Sequence, residues 1–218
     1  MLSAVLFDMD GVLIDSQPLH YLGDQQTLAA YGVSASLEEM VPYAGTTNQH
    51  RFGLFRERYR LDAPIDEMIA RREEIMIRLV RESSEGPVRG IPELLGLLRK
   101  AGIPMAVASS SSYPFIYAVL DKLALRDYFD LIFSGEHVPK GKPAPDVFLE
   151  TAARLGIPPE ECLVVEDSAN GVLAAVRAGM RCIGYRNPTS GVQDLSPADR
   201  VIDDFTGLDL DQLRACFL

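Results

Sequence analysis

Apolar residues along this chain follow two rhythms. Leu2, Ala4, Val5, Leu6 and Phe7 form a short, nearly unbroken apolar run, the pattern of a strand buried on both faces in a parallel sheet. From Ser16 the period becomes helical. Leu19, Leu22, Leu28 and Ala29 share one face behind Ser16 and Pro18, and Gly32 suits the helix end. Residues 37–41, 49–59 and 65–80 continue as helices, the last with Ile65, Met68, Ile69, Ile75, Met76 and Leu79 along one side. Strand-like runs return only after roughly seventy residues, whereas an ordinary βα connection takes about two to six. An inserted all-helical cap domain is therefore expected over residues 16–84, with Ser83, Ser84, Gly86 and Pro87 marking the return.

From Ile91 onward helices and strands alternate. Residues 105–108, 130–133, 162–165, 181–185 and 200–202 read as strands, separated by helices that open on Pro92 or Pro145 and close on Gly102, Gly156 or Gly179. This alternation predicts an α/β fold, a Rossmann-like parallel sheet core with helices on both faces, made of residues 1–15 and 85–218. Polar residues gather where the strands stop: Asp8 and Asp10, Ser109 and Ser110, Glu166 and Asp167. In an open α/β sheet that edge is where ligands bind.

The residues at that edge carry definite chemistry. Side chains alternate along an extended segment, so Asp8 and Asp10 share a face. Two carboxylates that close either keep one proton between them or recruit a metal, and hard divalent cations take oxygen ligands. Asp and Gly are also ordinary turn formers, and Gly11 permits a close backbone approach. Ser109 and Ser110 precede a helix beginning near Ser112, where hydroxyls and backbone N–H groups can hold phosphoryl oxygens or simply cap the helix. Lys142 lies in Gly-Lys-Pro-Ala-Pro-Asp, a loop stiffened by two prolines.

The run Asp-Met-Asp-Gly-Val-Leu-Ile-Asp-Ser from Asp8 resembles the first signature of the haloacid dehalogenase superfamily, in its β-phosphoglucomutase-like and phosphatase branch with a helical cap. The Lys142 loop resembles the third signature. Val164-Val165-Glu166-Asp167-Ser168, followed by Gly171, Ala174 and Ala175, resembles the fourth. The resemblance implies that Asp8 is the nucleophile and Asp10 the general acid and base, with Mg²⁺ as cofactor. It further implies that Gly11, Ser109, Ser110 and Lys142 bind the phosphate. Mg²⁺ would be held by Asp8, the backbone carbonyl of Asp10, and Asp167, with Glu166 a further ligand or the holder of a metal-bound water.

His20, in Ser-Gln-Pro-Leu-His, resembles the hinge-side histidine that links cap closure to acid-base chemistry in β-phosphoglucomutase-like members. With Thr46, Thr47, Asn48, Arg51 and Arg72 it is a candidate for contacting the rest of the substrate. The implied function is a Mg²⁺-dependent phosphatase acting on a small phosphorylated metabolite, a sugar phosphate, through an aspartyl-phosphate. The alternative is a β-phosphoglucomutase-type phosphomutase. Asn48 stands where such mutases carry arginine, and a neutral amide cannot replace a charge-assisted bidentate contact, so net hydrolysis is expected. A 2-haloacid dehalogenase needs no second carboxylate such as Asp10. A non-enzymatic phosphoacceptor module would lack both the long insertion and the Lys142 loop.

Composition narrows the partners. Twenty-one basic against thirty-one acidic residues give 218 residues a net charge of −10, which disfavours nucleic acid and anionic membranes. Cys162, Cys182 and Cys216 are too scattered for a metal site and read as reduced thiols of a cytoplasmic enzyme. No apolar stretch reaches the length of about twenty residues that spans a bilayer, so neither export nor membrane insertion is expected, and the chain is expected to be a monomer or weak dimer.

Overall fold

The first apolar run forms β1 (Ala4–Phe7), and all its side chains are buried. In this computed structural model, which describes residues 1–40, 43 and 47–218, the chain divides into two compact units, residues 1–15 with 85–218 and residues 16–84. No helix among the described residues is long and apolar enough to cross a membrane.

The second unit is helical: α1 (Gln17–Ala30), α2 (Asn48–Tyr59) and α3 (Ile65–Glu82). Leu28, Met40, Phe52, Phe55 and Met68 form its apolar centre, and Phe52 and Phe55 meet edge to face at 5.5 Å. Ser16 starts α1 through its backbone carbonyl, which accepts the His20 N–H at 3.0 Å, while its side chain makes no capping bond to the helix. The helix expected over residues 37–41 is not formed in the described part: residues 38–40 make a turn in which the Met40 N–H donates to Leu37. Five residues offer too few helical hydrogen bonds to offset nucleation. Val41 lies outside the described residues, as do Gly45 and Thr46.

The first unit continues with α4 (Ile91–Lys100), β2 (Met105–Ser109), α5 (Tyr113–Lys122), β3 (Leu131–Ser134), α6 (Asp146–Leu155), β4 (Cys162–Glu166), α7 (Ala169–Arg177), β5 (Arg181–Tyr185), β6 (Arg200–Ile202) and α8 (Leu210–Arg214). The six strands form one parallel sheet in the order β3-β2-β1-β4-β5-β6. Ala4 and Leu6 pack with Ala106, Cys162, Val164 and Cys182 against Phe148 of α6 and Val172 of α7. By alternation Val5 and Phe7 face the opposite layer, where Phe7 meets the Phe129 ring edge-on at 6.0 Å. The three cysteines are buried free thiols.

Strand order reverses on either side of β1, because the chain leaves it first for β2 and β3 and later for β4, β5 and β6. That switch point opens a crevice at the carboxyl ends of the strands. Register brings the polar residues level there: Phe7 pairs with both Val107 and Val165, and Ser109 pairs with Ser134.

Candidate active site

Asp8 extends the β1 ladder by one bond, its N–H donating to Val165 at 2.9 Å, and so stands beside the end of β4. Lys142 enters from the loop between β3 and α6. Its ammonium donates to Asp8 Oδ1 at 2.6 Å, to Glu166 Oε1 at 2.7 Å and to the Ala108 carbonyl at 3.2 Å. The ammonium also lies over the Phe148 ring, 4.8 Å from its centroid. All three N–H donors of the lysine are thus directed by the protein. Burial alone would lower the Lys142 ammonium, but the Asp8 and Glu166 charges outweigh it and raise it. Burial pushes the Asp8 carboxyl well above the usual carboxylate range; Lys142 opposes this, while Glu166, Asp10 and Asp167 add to it.

Glu166 Oε2 accepts from the N–H of Asp167, the N–H of Ser168 and the Ser168 hydroxyl, each at 2.9 Å. Ser168 caps α7 by accepting from Gly171 at 3.0 Å. A Cβ on Gly171 would sit 1.8 Å from the Glu166 carboxyl carbon, so the helix start can cradle that side chain only with glycine there. Burial, then the Glu166 charge, pushes Asp167 up to about 7. Gly11 has φ +85°, and a Cβ on it would lie 2.0 Å from Asp167 Oδ2, which brings the β1 turn directly against the end of β4.

Asp8, Glu166 and Asp167 each offer a carboxylate oxygen within 4.8 Å of the others, and all three are buried. The single Lys142 ammonium bonds Asp8 and Glu166 and so offsets only part of the charge of three buried carboxylates this close together. An all-oxygen donor set of this kind suits a hard divalent ion, so these residues fit a metal. The Asp10 carboxylate is not in that group; its Oδ2 accepts from the Ser111 hydroxyl at 2.8 Å.

The structure therefore gathers Asp8, Asp10, Gly11, Lys142, Glu166 and Asp167 at one edge. Ser109 is wholly buried there, its oxygen accepting from the Ser111 N–H at 3.1 Å, while Ser110 is exposed. The helix cap is Ser112, which accepts from Phe115. Sequence reading singled out neither Ser111, one of four consecutive serines, nor Asn187 and Ser190. Asn187 donates to the Gly11 carbonyl at 3.1 Å and Ser190 to Asp167 Oδ2 at 2.5 Å. Only folding distinguishes those serines, and the loop after β5 carries no motif that would have revealed it.

His20, Asn48 and Arg72 belong to the helical unit and meet one another through Asp24 and Arg51. Asp24 is buried between two guanidinium groups, Arg72 Nε at 2.5 Å and Arg51 Nε at 3.0 Å. Arg51 Nη2 donates to Asn48 Oδ1 at 2.5 Å, and Arg72 Nη2 lies 3.0 Å from His20 Nδ1. Arginine has only donors, so His20 Nδ1 accepts here. Thr47 caps α2 by accepting from His50.

A parallel sheet whose central strand delivers Asp8 and Asp10, with Lys142 from the loop before α6 and a second acidic pair at the end of β4, is the arrangement of one hydrolase class, and this chain belongs to the haloacid dehalogenase-like hydrolase family, which it matches over residues 5–185. Among its relatives, hexitol phosphatase B of Escherichia coli (strain K12) is 34% identical over 193 residues, 83% of this chain and 82% of that protein. Protein CbbY of Cereibacter sphaeroides is 33% identical over 217 residues, 95% of this chain and 94% of that protein. The crystal structure of a CbbY mutant from Rhodobacter sphaeroides in complex with xylulose-(1,5)bisphosphate has a TM-score of 0.87 to this fold at 31% identity, covering 98% of this chain and 99% of that one.

Proposed function

We propose that this protein is a Mg²⁺-dependent phosphatase that hydrolyses a small sugar phosphate through an aspartyl-phosphate. The observation that carries the reading is the Lys142 ammonium held between Asp8 and Glu166 next to a buried three-carboxylate group. The sugar-phosphate class is supported by the relatives, a hexitol phosphatase and a CbbY complex with a sugar bisphosphate. A net charge of −10 agrees with a free small molecule, not nucleic acid, as substrate.

Asp8, the Asp10 carbonyl and Asp167 would hold Mg²⁺, with Glu166 beside them; the ion supplies positive charge that offsets the repulsion between a phosphate dianion and a carboxylate. Lys142 adds a fixed positive charge at Asp8, so that an Asp8 oxygen attacks phosphorus in line. As the new P–O bond to Asp8 forms, the bond to the sugar oxygen breaks, and Asp10 gives that oxygen its proton. Asp10 then takes a proton from the water that attacks the aspartyl-phosphate, releasing inorganic phosphate and restoring Asp8. The Ser111 hydroxyl orients the Asp10 carboxylate for both transfers. Discrimination among sugars is assigned to His20, Asn48 and Arg72.

Phosphate release from a panel of sugar phosphates is expected to require Mg²⁺ and to vanish in Asp8→Asn. Undiminished turnover in that variant would sink the assignment.

A further inference from the structure

The loop after β5, residues 186–193, contains none of the family signatures, yet it reaches the site at several points. Asn187 organises it. Its Oδ1 accepts from the Thr189 N–H at 2.9 Å, its carbonyl accepts from the Ser190 N–H at 3.3 Å, and its buried Nδ2 donates to the Gly11 carbonyl at 3.1 Å. One side chain thus folds the loop and grips the turn that follows β1. The Thr189 hydroxyl lies against Asp15, the last residue of the first segment of its unit. Gln193 closes the far side, donating to the Ser190 carbonyl at 2.9 Å and accepting from the Ala169 N–H at 3.0 Å.

Ser190 is consequently held by its own N–H and its own carbonyl, and its hydroxyl donates to Asp167 Oδ2 at 2.5 Å. A side chain tied at both backbone ends has little freedom to release that bond. The oxygen it binds is also the one packed against Gly11. We propose that Ser190 is a positioning residue for the divalent cation: it occupies Asp167 Oδ2 and leaves Oδ1 for the ion, while Asn187 keeps the Gly11 turn at its distance from Asp167. Outer partners that orient a ligating carboxylate typically change metal affinity by about 10- to 100-fold when removed. The inference rests on the cation reading of the site, and the experiment separates the two.

Mg²⁺ binding to the EDTA-stripped whole protein is measured by isothermal titration calorimetry. Ser190→Ala is expected to weaken Mg²⁺ binding by about 10- to 100-fold, and Ser190→Thr, which keeps the hydroxyl, to stay within about threefold of wild type. Melting of the stripped Ser190→Ala protein is expected to stay cooperative, because the Asn187 and Gln193 bonds still hold the loop, and rescue of Mg²⁺ affinity by threonine is the readout that a merely structural role would not give. Wild-type affinity in Ser190→Ala overturns the positioning role alone. Failure of the wild-type protein to bind Mg²⁺ overturns the cation reading itself and the role with it.

Discussion

At the scale of the residue, two features set the site: a missing side chain and two displaced acidities. Gly11 combines φ +85° with a Cβ direction that points at Asp167 Oδ2, 2.0 Å away. Alanine there must adopt a left-handed conformation costing about 1–2 kcal/mol and also push Asp167 aside. Gly11→Ala is therefore expected to lower stability by at least that amount and Mg²⁺ affinity by about tenfold or more, read by urea denaturation and calorimetry; unchanged affinity would show that the contact does not shape the site. The raised carboxyls make a second expectation. A carboxyl raised in the folded state favours its proton there, so its contribution to stability is present at low pH and lost as pH climbs through the folded value, near 7 for Asp167 against 3.8 for a free carboxyl. Each unit corresponds to about 1.4 kcal/mol. In EDTA, the melting temperature of Asp167→Asn relative to wild type should rise between about pH 4 and pH 7 and level off above that. A difference that does not vary with pH would contradict the displaced acidity.

At the scale of the element, the helical unit is tied by both apolar and ionic contacts. Asp24 on α1 meets Arg51 on α2 and Arg72 on α3, so one carboxylate links all three helices. Burial, then the like charge of Arg72, pushes Arg51 down to about 10, with Asp24 opposing. Removing one partner of a buried ion pair costs about 3–5 kcal/mol because the remaining charge stays buried. Asp24→Asn is expected to destabilise the protein by about that much in urea denaturation, whereas replacing all three residues with apolar ones of similar size should recover most of the loss. A loss under about 1 kcal/mol, the size of an exposed pair, would refute the ionic link. Arg51 and Arg72 were legible in the sequence as basic groups on helices. That they share Asp24 was not, because the residues lie on three elements and no local period relates them.

At the scale of the whole molecule, the expectation of net hydrolysis over phosphoryl transfer to a sugar turns on the charges available in the helical unit. Asn48 is neutral and engaged by Arg51, and Arg51 and Arg72 both form ion pairs with Asp24. A mutase must retain a bisphosphorylated intermediate, which calls for a charge-assisted contact to its second phosphate. Supplied with β-glucose 1-phosphate and a glucose 1,6-bisphosphate primer, the enzyme is expected to release inorganic phosphate in ³¹P NMR spectra. Rapid accumulation of glucose 6-phosphate with little free phosphate would favour the mutase.

The α/β class, the parallel sheet, the helical segment after Ser16, and the placing of Asp8, Asp10, Lys142, Glu166 and Asp167 at strand ends or in the loop before α6 all followed from the chain read alone. Each depends on local rules: an unbroken apolar run makes a buried strand, a 3.6-residue period makes a helix, and proline stiffens a loop. The short segment before α2 departs from the expected helix because a few residues carry too little periodicity to decide between helix and turn. Strand order, by contrast, is a long-range outcome. Only the pairing of β1 between β2 and β4 brings Lys142 to Asp8 across 134 residues of chain and Ser190 to Asp167 across 23. Ser111 and Ser190 are short polar residues in turns, chemically indistinct from their neighbours in the sequence. Which of them faces a carboxylate of the candidate site was decided by tertiary structure, because a hydroxyl acquires a role only when folding brings an acceptor within hydrogen-bond distance.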